Sequence, residues 1–280
     1  MPGESVKGGF GRLFAVLPFL CGLLLMAIPA RATTPPLVVA AERGDTAEVR
    51  RLLAAGAAVD ARDDRGRTAL LAATHADKPD VAALLIAAKA DVNARDAIED
   101  SPYLYAAAEG RVAILKQTLA AGADLKSTNR YGGTGLIPAA HHGHAEIVRI
   151  LLGTKIDKDH VNNLGWTALL EAVILGDGGP VHTEIVRLLV EAGVRTDIAD
   201  REGVTPLQHA RRRGYAGMVA ILEKAAGRRA LLRSLSLAGV VLRRGFGSGL
   251  ATWVIVSRIT SPVTPPPQLV YHFCGAGRRW

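Results

Sequence analysis

The feature that most constrains the fold is a unit of 33 residues that recurs through the middle of the chain. Its clearest copy, 63–95, contains a polar turn, a hydroxyl residue at Thr68, an Ala-rich run, a polar break and a second apolar run. The corresponding hydroxyl residues follow at regular positions: Ser101, Thr134, Thr167 and, after five additional residues, Thr205. A unit of this length holds a turn and two short helices. Two such helices cannot bury their own apolar faces, so the copies must stack on one another.

The period divides the chain into six copies, which we place at 37–62, 63–95, 96–128, 129–161, 162–199 and 200–225. The first copy lacks the leading turn. The last copy carries Arg211–Arg213, where Arg211 takes a position that earlier copies fill with a small apolar residue. Both features are expected of terminal copies whose outer face meets water. The fifth copy is longer around Gly176–Pro180, and this insertion predicts a surface loop between its two helices.

Residues within the copies predict how each helix begins and where the core lies. The hydroxyl residue is expected to accept a free N–H at the start of the first helix, and Pro102 and Pro206 suit the turn that follows. Leu pairs such as Leu151-Leu152 fill the seam between copies, where each buried side chain contributes about 1.5–3 kcal/mol. Departures should loosen individual copies. These are Glu99, Lys89 and Lys155 in place of Gly, and Thr118 in place of a core Leu.

The first 32 residues are similar to a secretion signal. Lys7 and Arg12 precede an apolar run at 13–28, and Ala30-Arg31-Ala32 supplies the small residues that a signal peptidase needs. We therefore predict cleavage after Ala32 and a short linker at 33–36. The alternative is an uncleaved membrane anchor, because the apolar run is near the length that spans a bilayer. Cleavage would leave Cys274 as the one cysteine, which allows neither an internal disulfide nor a Cys-based metal site.

The charge of the chain is unevenly distributed. The formal net charge is +8, but the tail at 226–280 contains eight Arg and no acidic residue, so the repeated part is close to neutral. This distribution does not favour nucleic-acid binding. The tail is expected to be a poorly ordered basic extension. A helix–turn–helix that lies on a membrane surface over 225–256 is the alternative.

The repeated residues resemble the ankyrin-repeat family. The unit of that family runs from a turn and Gly-x-Thr-Pro-Leu to Gly-Ala-Asp-Val-Asn, and its closest counterparts in this chain are Gly66–Leu70, Ala90–Asn93, Gly165–Leu169 and Gly203–Leu207. The resemblance covers about 37–225. It implies an all-α solenoid of helix-turn-helix units with short β-turn tips, and a monomer that acts as a non-enzymatic scaffold for an unidentified protein partner. With the export signal, the chain is most similar to periplasmic ankyrin-repeat proteins of Gram-negative bacteria.

In this family the turn tips and the exposed side of the first helices line a concave groove that selects the partner. Carried onto this chain, the resemblance implies these partner-binding residues: Arg65, Arg67, Tyr105, Arg130, Tyr131, His141, Trp166, Glu171 and His209. Tyr, Trp and Arg often dominate the binding energy of interfaces. For Trp166, packing against the neighbouring turn remains an equal alternative.

Other chemistry finds little support in the sequence. His141, His142, His144 and His160 lie close together, which raises a histidine-based metal site as a further alternative. No cysteine or carboxylate stands at ligand spacing beside them, and His142-Gly143-His144 matches a common turn of the family. Nucleophile and phosphate-binding motifs are also missing from the sequence. We therefore expect no metal, no cofactor and no enzymatic activity. A membrane-associated adaptor, held by the N-terminus or the tail, is the other functional alternative.

Overall fold

The computed structural model describes residues 34–237, 240–244 and 253–257. The predicted signal at 1–32, Cys274 and most of the tail lie outside these residues. The helices are α1 (Pro36–Arg43), α2 (Thr46–Ala54), α3 (Ala69–His75), α4 (Pro79–Ala87), α5 (Pro102–Ala108), α6 (Val112–Ala120), α7 (Leu136–His141), α8 (Ala145–Leu152), α9 (Ala168–Ile174), α10 (Pro180–Glu191), α11 (Pro206–Arg212) and α12 (Ala216–Leu237). Strands β1 (Val240–Arg244) and β2 (Trp253–Ser257) pair antiparallel after the last helix.

The helices form six antiparallel pairs that stack in sequence order, from α1·α2 to α11·α12. Each first helix packs on the first helix of the next pair. The second helices pack on one another in the same way and form a second layer. A single apolar core runs through the stack. Its members are mostly Ala, Leu, Ile and Val, because paired Ala residues such as Ala72 and Ala73 let neighbouring helices approach closely. The predicted all-α solenoid is confirmed.

A hydroxyl residue caps most of the first helices. Thr68, Ser101 and Thr167 accept the backbone N–H three residues ahead at 3.3, 3.2 and 3.2 Å. Thr205 does the same at 3.4 Å and completes a capping box with Gln208.

Thr134 does not form the expected cap. In the other copies the carbonyl of the hydroxyl residue accepts the N–H four residues ahead, but here that residue is Pro138, which has no N–H. The carbonyl instead accepts the N–H of Ile137 at 3.0 Å, and helix α7 begins one residue later than its counterparts. The buried hydroxyl of Thr134 is left without a hydrogen-bond partner among the residues that the structure describes.

A packing exchange between the third and fourth copies explains Gly135, where other copies have Ala or Pro. Tyr103 replaces a core Leu and is fully buried. A Cβ added to Gly135 would lie 2.9 Å from the Tyr103 hydroxyl oxygen and 3.1 Å from the Cβ of Ala107. Glycine at 135 therefore leaves the space that the larger side chain of the preceding copy occupies.

The insertion of the fifth copy does not simply bulge outward as the sequence analysis expected. Helix α10 has 12 residues, whereas α4 has nine, so three of the five additional residues lengthen the helix. The rest widen the turn before it, which is tied to its neighbours. His182 approaches Asp177 Oδ1 and the carbonyl oxygen of His141 at 2.9 Å each, and Tyr215 donates to the carbonyl of Gly176 at 3.0 Å.

The second and third copies retain the backbone shape of their neighbours despite their substitutions. Lys89 and Glu99 both have φ of 68°, the left-handed conformation that glycine adopts at equivalent turns. A side chain in that conformation costs about 1–2 kcal/mol. The hydroxyl of buried Thr118 is satisfied, because it donates to the carbonyl of Leu115 at 2.9 Å.

The end of the array is polar, as predicted for a terminal copy. Arg211 pairs with Glu223 of α12 at 2.7 Å. Helix α12 continues to Leu237, so residues 226–237, expected to be poorly ordered, are helical. Ala, Leu and Arg favour helix in this segment. Arg229 of the segment forms an ion pair with Asp197 at 2.9 Å. Within the described part of the chain, no helix has both the length and the apolar character needed to cross a bilayer.

Candidate partner-binding groove

The turn tips are built by one side chain that recurs in every full copy. An Asp or Asn accepts the backbone N–H groups two and four residues ahead, which closes the turn. Asp63, Asp96, Asn129, Asn162 and Asp200 all do so, at distances between 2.7 and 3.1 Å. Backbone bonds then join tip to tip. Ala97 donates to the carbonyl of Arg65, and Asn163 to that of Tyr131, both at 2.9 Å.

The tips and the first helices enclose a groove of about 550 Å³ that extends from the second copy to the fifth. Ile98, Tyr131 and Leu164 line it from three successive tips. The first helices contribute the opposite wall, which contains His75, Tyr105, Pro138, His141 and Glu171. This volume lies within the range of about 300–1,000 Å³ that ligand sites occupy.

Large apolar side chains are exposed along this groove. Ile98, Tyr131, Leu164 and Leu175 are 50%, 52%, 47% and 42% exposed. They stand beside one another in a concave surface rather than singly over the molecule. Grouped apolar exposure of this kind is typical of surfaces that bind another molecule.

Aromatic rings and one guanidinium shape the middle of the groove. His75 stacks on Tyr105, with ring centroids 3.8 Å apart and planes 12° apart. Burial lowers the pKa of His75 and raises that of Tyr105, so both rings are neutral near pH 7. The guanidinium of Arg130 lies over the Tyr131 ring, 4.8 Å from its centroid, which is a cation–π contact.

Two carboxyl groups with raised pKa values line the groove. Glu171 is 6% exposed, and burial raises its pKa from 4.5 to about 7, although a hydrogen bond from Asn162 Nδ2 at 2.9 Å favours the charged form. His141 Nδ1 is 3.6 Å from Glu171 Oε2. Burial lowers the pKa of His141. Burial, together with the neighbouring charge of Asp96, raises the pKa of Asp100.

Of the nine residues carried over by the resemblance, five line the groove: Tyr105, Arg130, Tyr131, His141 and Glu171. The other four have different positions. Arg65 is exposed at the tip of the second copy, outside the groove. Arg67 is buried and binds Asp63 at 2.8 Å and Glu42 at 3.1 Å, so its charge joins the first two copies.

His209 and Trp166 also make their contacts outside the groove. His209 Nε2 is 2.6 Å from Asp200 Oδ2, which closes the last tip. Trp166 is half-buried and does not line the groove, and its backbone N–H donates to Asn162 Oδ1 at 3.0 Å.

Sequence reasoning did not select Asp100, Pro138 and Leu175, which line the groove as well. Leu175 had a detectable signal. It is a leucine at a position where the preceding copies have the polar residues Glu109 and His142. Asp100 also had one, because it stands one period after Arg67 and reverses its charge.

The clustered histidines lie within hydrogen-bond distance of backbone carbonyl oxygens of the array. His142 Nδ1 is 2.6 Å from the carbonyl oxygen of Ala108, and His160 Nε2 is 2.7 Å from that of Gly132. His182 bridges Asp177 and His141, as described above. Among the described residues, no three His, Cys, Asp or Glu side chains come close enough to hold a metal ion.

Comparisons with known proteins identify the architecture. A family model described as ankyrin repeats, three copies, matches residues 18–96 and 103–198. An ankyrin repeat domain from Acinetobacter baumannii AYE is 54% identical, with a TM-score of 0.67, over 68% of this chain and 97% of that one. The ankyrin repeat domain of Bcl-3, a member of the IkappaB family, is 26% identical with a TM-score of 0.62, over 68% and 85% of the two chains.

A curated relative gives a shorter match. The ankyrin repeat protein YahD of Escherichia coli strain K12 is 42% identical over 52 residues, which make up 19% of this chain and 26% of that relative. The chain thus matches about a quarter of the length of YahD.

Proposed function

The chain belongs to the ankyrin-repeat family, and from this premise we propose that it is a non-enzymatic scaffold whose protein partner occupies the groove described above. Ankyrin repeats are in general protein–protein interaction modules. The observation that carries the proposal is the row of exposed apolar side chains, Ile98, Tyr131 and Leu164, on three successive tips. Covering this row would remove apolar surface from water, which is the main driving force of most protein association.

The proposed site of action is the periplasm. Its support is the sequence pattern of Lys7, Arg12, the apolar run at 13–28 and the small residues before Thr33. The mass of the mature protein tests this part. A chain that begins at Thr33 supports export with cleavage, whereas a chain that retains 1–32 supports the membrane-anchored alternative.

Affinity capture with matched variants tests the groove. Tyr131→Ala combined with Leu164→Ala should weaken capture of the partner more than tenfold, because truncating a central interface residue commonly costs about 2 kcal/mol or more. The controls are Lys116→Ala with Arg149→Ala, on the exposed side of the second helices, and Trp166→Ala, which does not touch the groove.

Both controls should capture the partner as well as the wild type does, and circular dichroism should show all variants folded. Equal capture by the groove variant would contradict the proposal. Loss of capture only in the Lys116 and Arg149 variant would place the partner on the second helices instead.

A further inference from the structure

Two carboxylates that line the groove, Glu171 and Asp100, have no basic side chain within hydrogen-bond distance among the described residues. In the second copy, Arg67 pairs with the turn residue Asp63 at 2.8 Å. One period later, Arg67 is replaced by Asp100, so the third copy places two acids, Asp96 and Asp100, where the second copy has an ion pair. The third copy therefore cannot close its own tip by charge pairing.

The fifth copy differs from the sixth at an equivalent position. His209 in the sixth copy lies 2.6 Å from the turn residue Asp200. The corresponding position of the fifth copy holds Glu171, whose Oε1 accepts from Asn162 at 2.9 Å. No hydrogen bond from the described residues reaches Oε2, since His141 Nδ1 stands 3.6 Å away, beyond hydrogen-bond length.

Asp100 is in a similar state. Its side chain is 16% exposed, and the nearest guanidinium nitrogen, from Arg130, is 3.9 Å away. Its carboxylate accepts no hydrogen bond from any residue that the structure describes. Carboxylate oxygens that line a groove without a donor of their own can accept a hydrogen bond from a bound molecule.

The charge of the groove is complementary to a cation. Asp100, Glu109 and Glu171 line it, against Arg130 as the basic residue. His75 and His141 add no positive charge near neutral pH, because burial lowers the pKa of each. Apolar surface lies directly beside these carboxylates, at Leu164 and at the other exposed tips.

We propose that the groove selects a peptide segment with one basic side chain, Arg or Lys, flanked by apolar residues. The basic group donates to Glu171 Oε2 and adds positive charge near Asp100, while its apolar neighbours cover Tyr131 and Leu164. The partner thus supplies a positive charge of the kind that Arg67 contributes in the second copy. This inference rests on the proposed function and adds the chemistry of the partner to it.

A display selection tests the inference with the full chain as bait and a library of short random peptides as the probe. The enriched peptides should share one Arg or Lys between apolar residues. The best of them is then compared with its citrulline counterpart, which keeps the shape of Arg and removes the charge. Citrulline should weaken binding by about tenfold or more, because hydrogen bonds between charged partners contribute about twice as much as neutral ones.

A double-mutant comparison ties the effect to one carboxylate. Glu171→Gln keeps an acceptor for Asn162. It should lower the affinity for the Arg peptide by about the same factor and should change the affinity for the citrulline peptide little. Glu146→Gln, on a second helix beside Lys116, is the control and should leave both affinities unchanged.

The outcomes separate this inference from the proposed function. Enriched peptides that share no basic residue, or equal binding of the Arg and citrulline peptides, would overturn the inference. If those peptides still lose affinity with Tyr131→Ala, the groove remains the binding site. A selection that enriches nothing on the wild type would contradict both.

Discussion

Glu171 should make the stability of the array depend on pH in a direction opposite to that of an ordinary salt-bridged carboxylate. Burial raises its pKa from 4.5 to about 7, so the folded state holds the proton more tightly than the unfolded chain does. Below pH 4.5 the group is protonated in both states and carries no penalty. As pH rises towards 7 the unfolded chain ionises first, and the folded state loses stability; above pH 7 the penalty is constant.

The size of the effect follows from the two pKa values. One pKa unit corresponds to about 1.36 kcal/mol. The rise of the Glu171 pKa from 4.5 to about 7 therefore corresponds to a full penalty of about 3 kcal/mol in the free energy of unfolding. Most of this penalty, about 2.5 kcal/mol, develops between roughly pH 5 and pH 8. Glu171→Gln cannot ionise, and its amide oxygen can still accept from Asn162. The variant should therefore gain about 2–3 kcal/mol relative to the wild type over this interval.

Urea unfolding of both proteins across this pH interval measures the difference. Circular dichroism and tryptophan fluorescence are followed together, because a repeat array can unfold in parts and one free energy then has no clear meaning. Glu146→Gln removes the same formal charge outside the groove and corrects for net charge. An NMR titration of the Glu171 carboxyl carbon provides a second measurement. A titration near pH 4.5, or a pH-independent difference between Glu171→Gln and the wild type, would refute the reasoning.

Three further changes test the packing of single copies by thermal or urea unfolding. Glu99→Gly should stabilise the array by about 1 kcal/mol, because it removes a side chain from the left-handed conformation; no gain would contradict this. Gly135→Ala should destabilise the array by about 1–3 kcal/mol through overpacking. The cost should be smaller when Tyr103→Leu is also present, and an unchanged cost would exclude the proposed packing exchange. Thr134→Val should be neutral or stabilising, since its hydroxyl has no partner, while Thr167→Val should cost about 1 kcal/mol through loss of a helix cap. Equal effects of the two Thr substitutions would show that both hydroxyls act alike.

The architecture could be predicted from the sequence because stacking requires the same residues in each copy. Small residues recur where helices approach one another, and hydroxyl residues recur where helices begin. Thr134 shows the limit of that reasoning. Its failure to cap a helix depends on Pro138, which lies four positions ahead. Pro138 has no backbone N–H, so the Thr134 carbonyl loses the partner that the equivalent carbonyl has in the other copies. Such a coupling becomes visible only when every backbone bond of the turn is assigned.

The groove could be predicted only in part because positions that are equivalent in the repeat do not have equivalent neighbours. Arg67 and Asp100 stand one period apart, yet one side chain is buried in an ion pair and the other lines the groove. His209 and Glu171 also stand at equivalent positions, but His209 contacts the turn residue Asp200, whereas Glu171 accepts from the turn residue Asn162 and lines the groove. Periodicity locates the position, but the side chain that stands there and the residue of the adjacent turn together decide whether it is available to a partner.

The conformation of the insertion in the fifth copy was predicted only in part, because the sequence there contains signals for both a loop and a helix. Glycines at 176, 178 and 179 predicted a loop. Pro180 is well suited to the first turn of a helix, and residues 180–182 join α10 instead. His182 then reaches the end of α7 and fixes the remaining turn against the preceding copy.

The central claim is that a protein partner occupies the concave groove, and site-specific photo-crosslinking in cells that make the protein tests it most directly. A benzophenone amino acid placed at residue 131, in the groove, should yield discrete adducts with a partner protein. The same amino acid at residue 116, exposed on helix α6, should not yield those adducts. No adduct from residue 131, or the same adducts from both positions, would contradict the account.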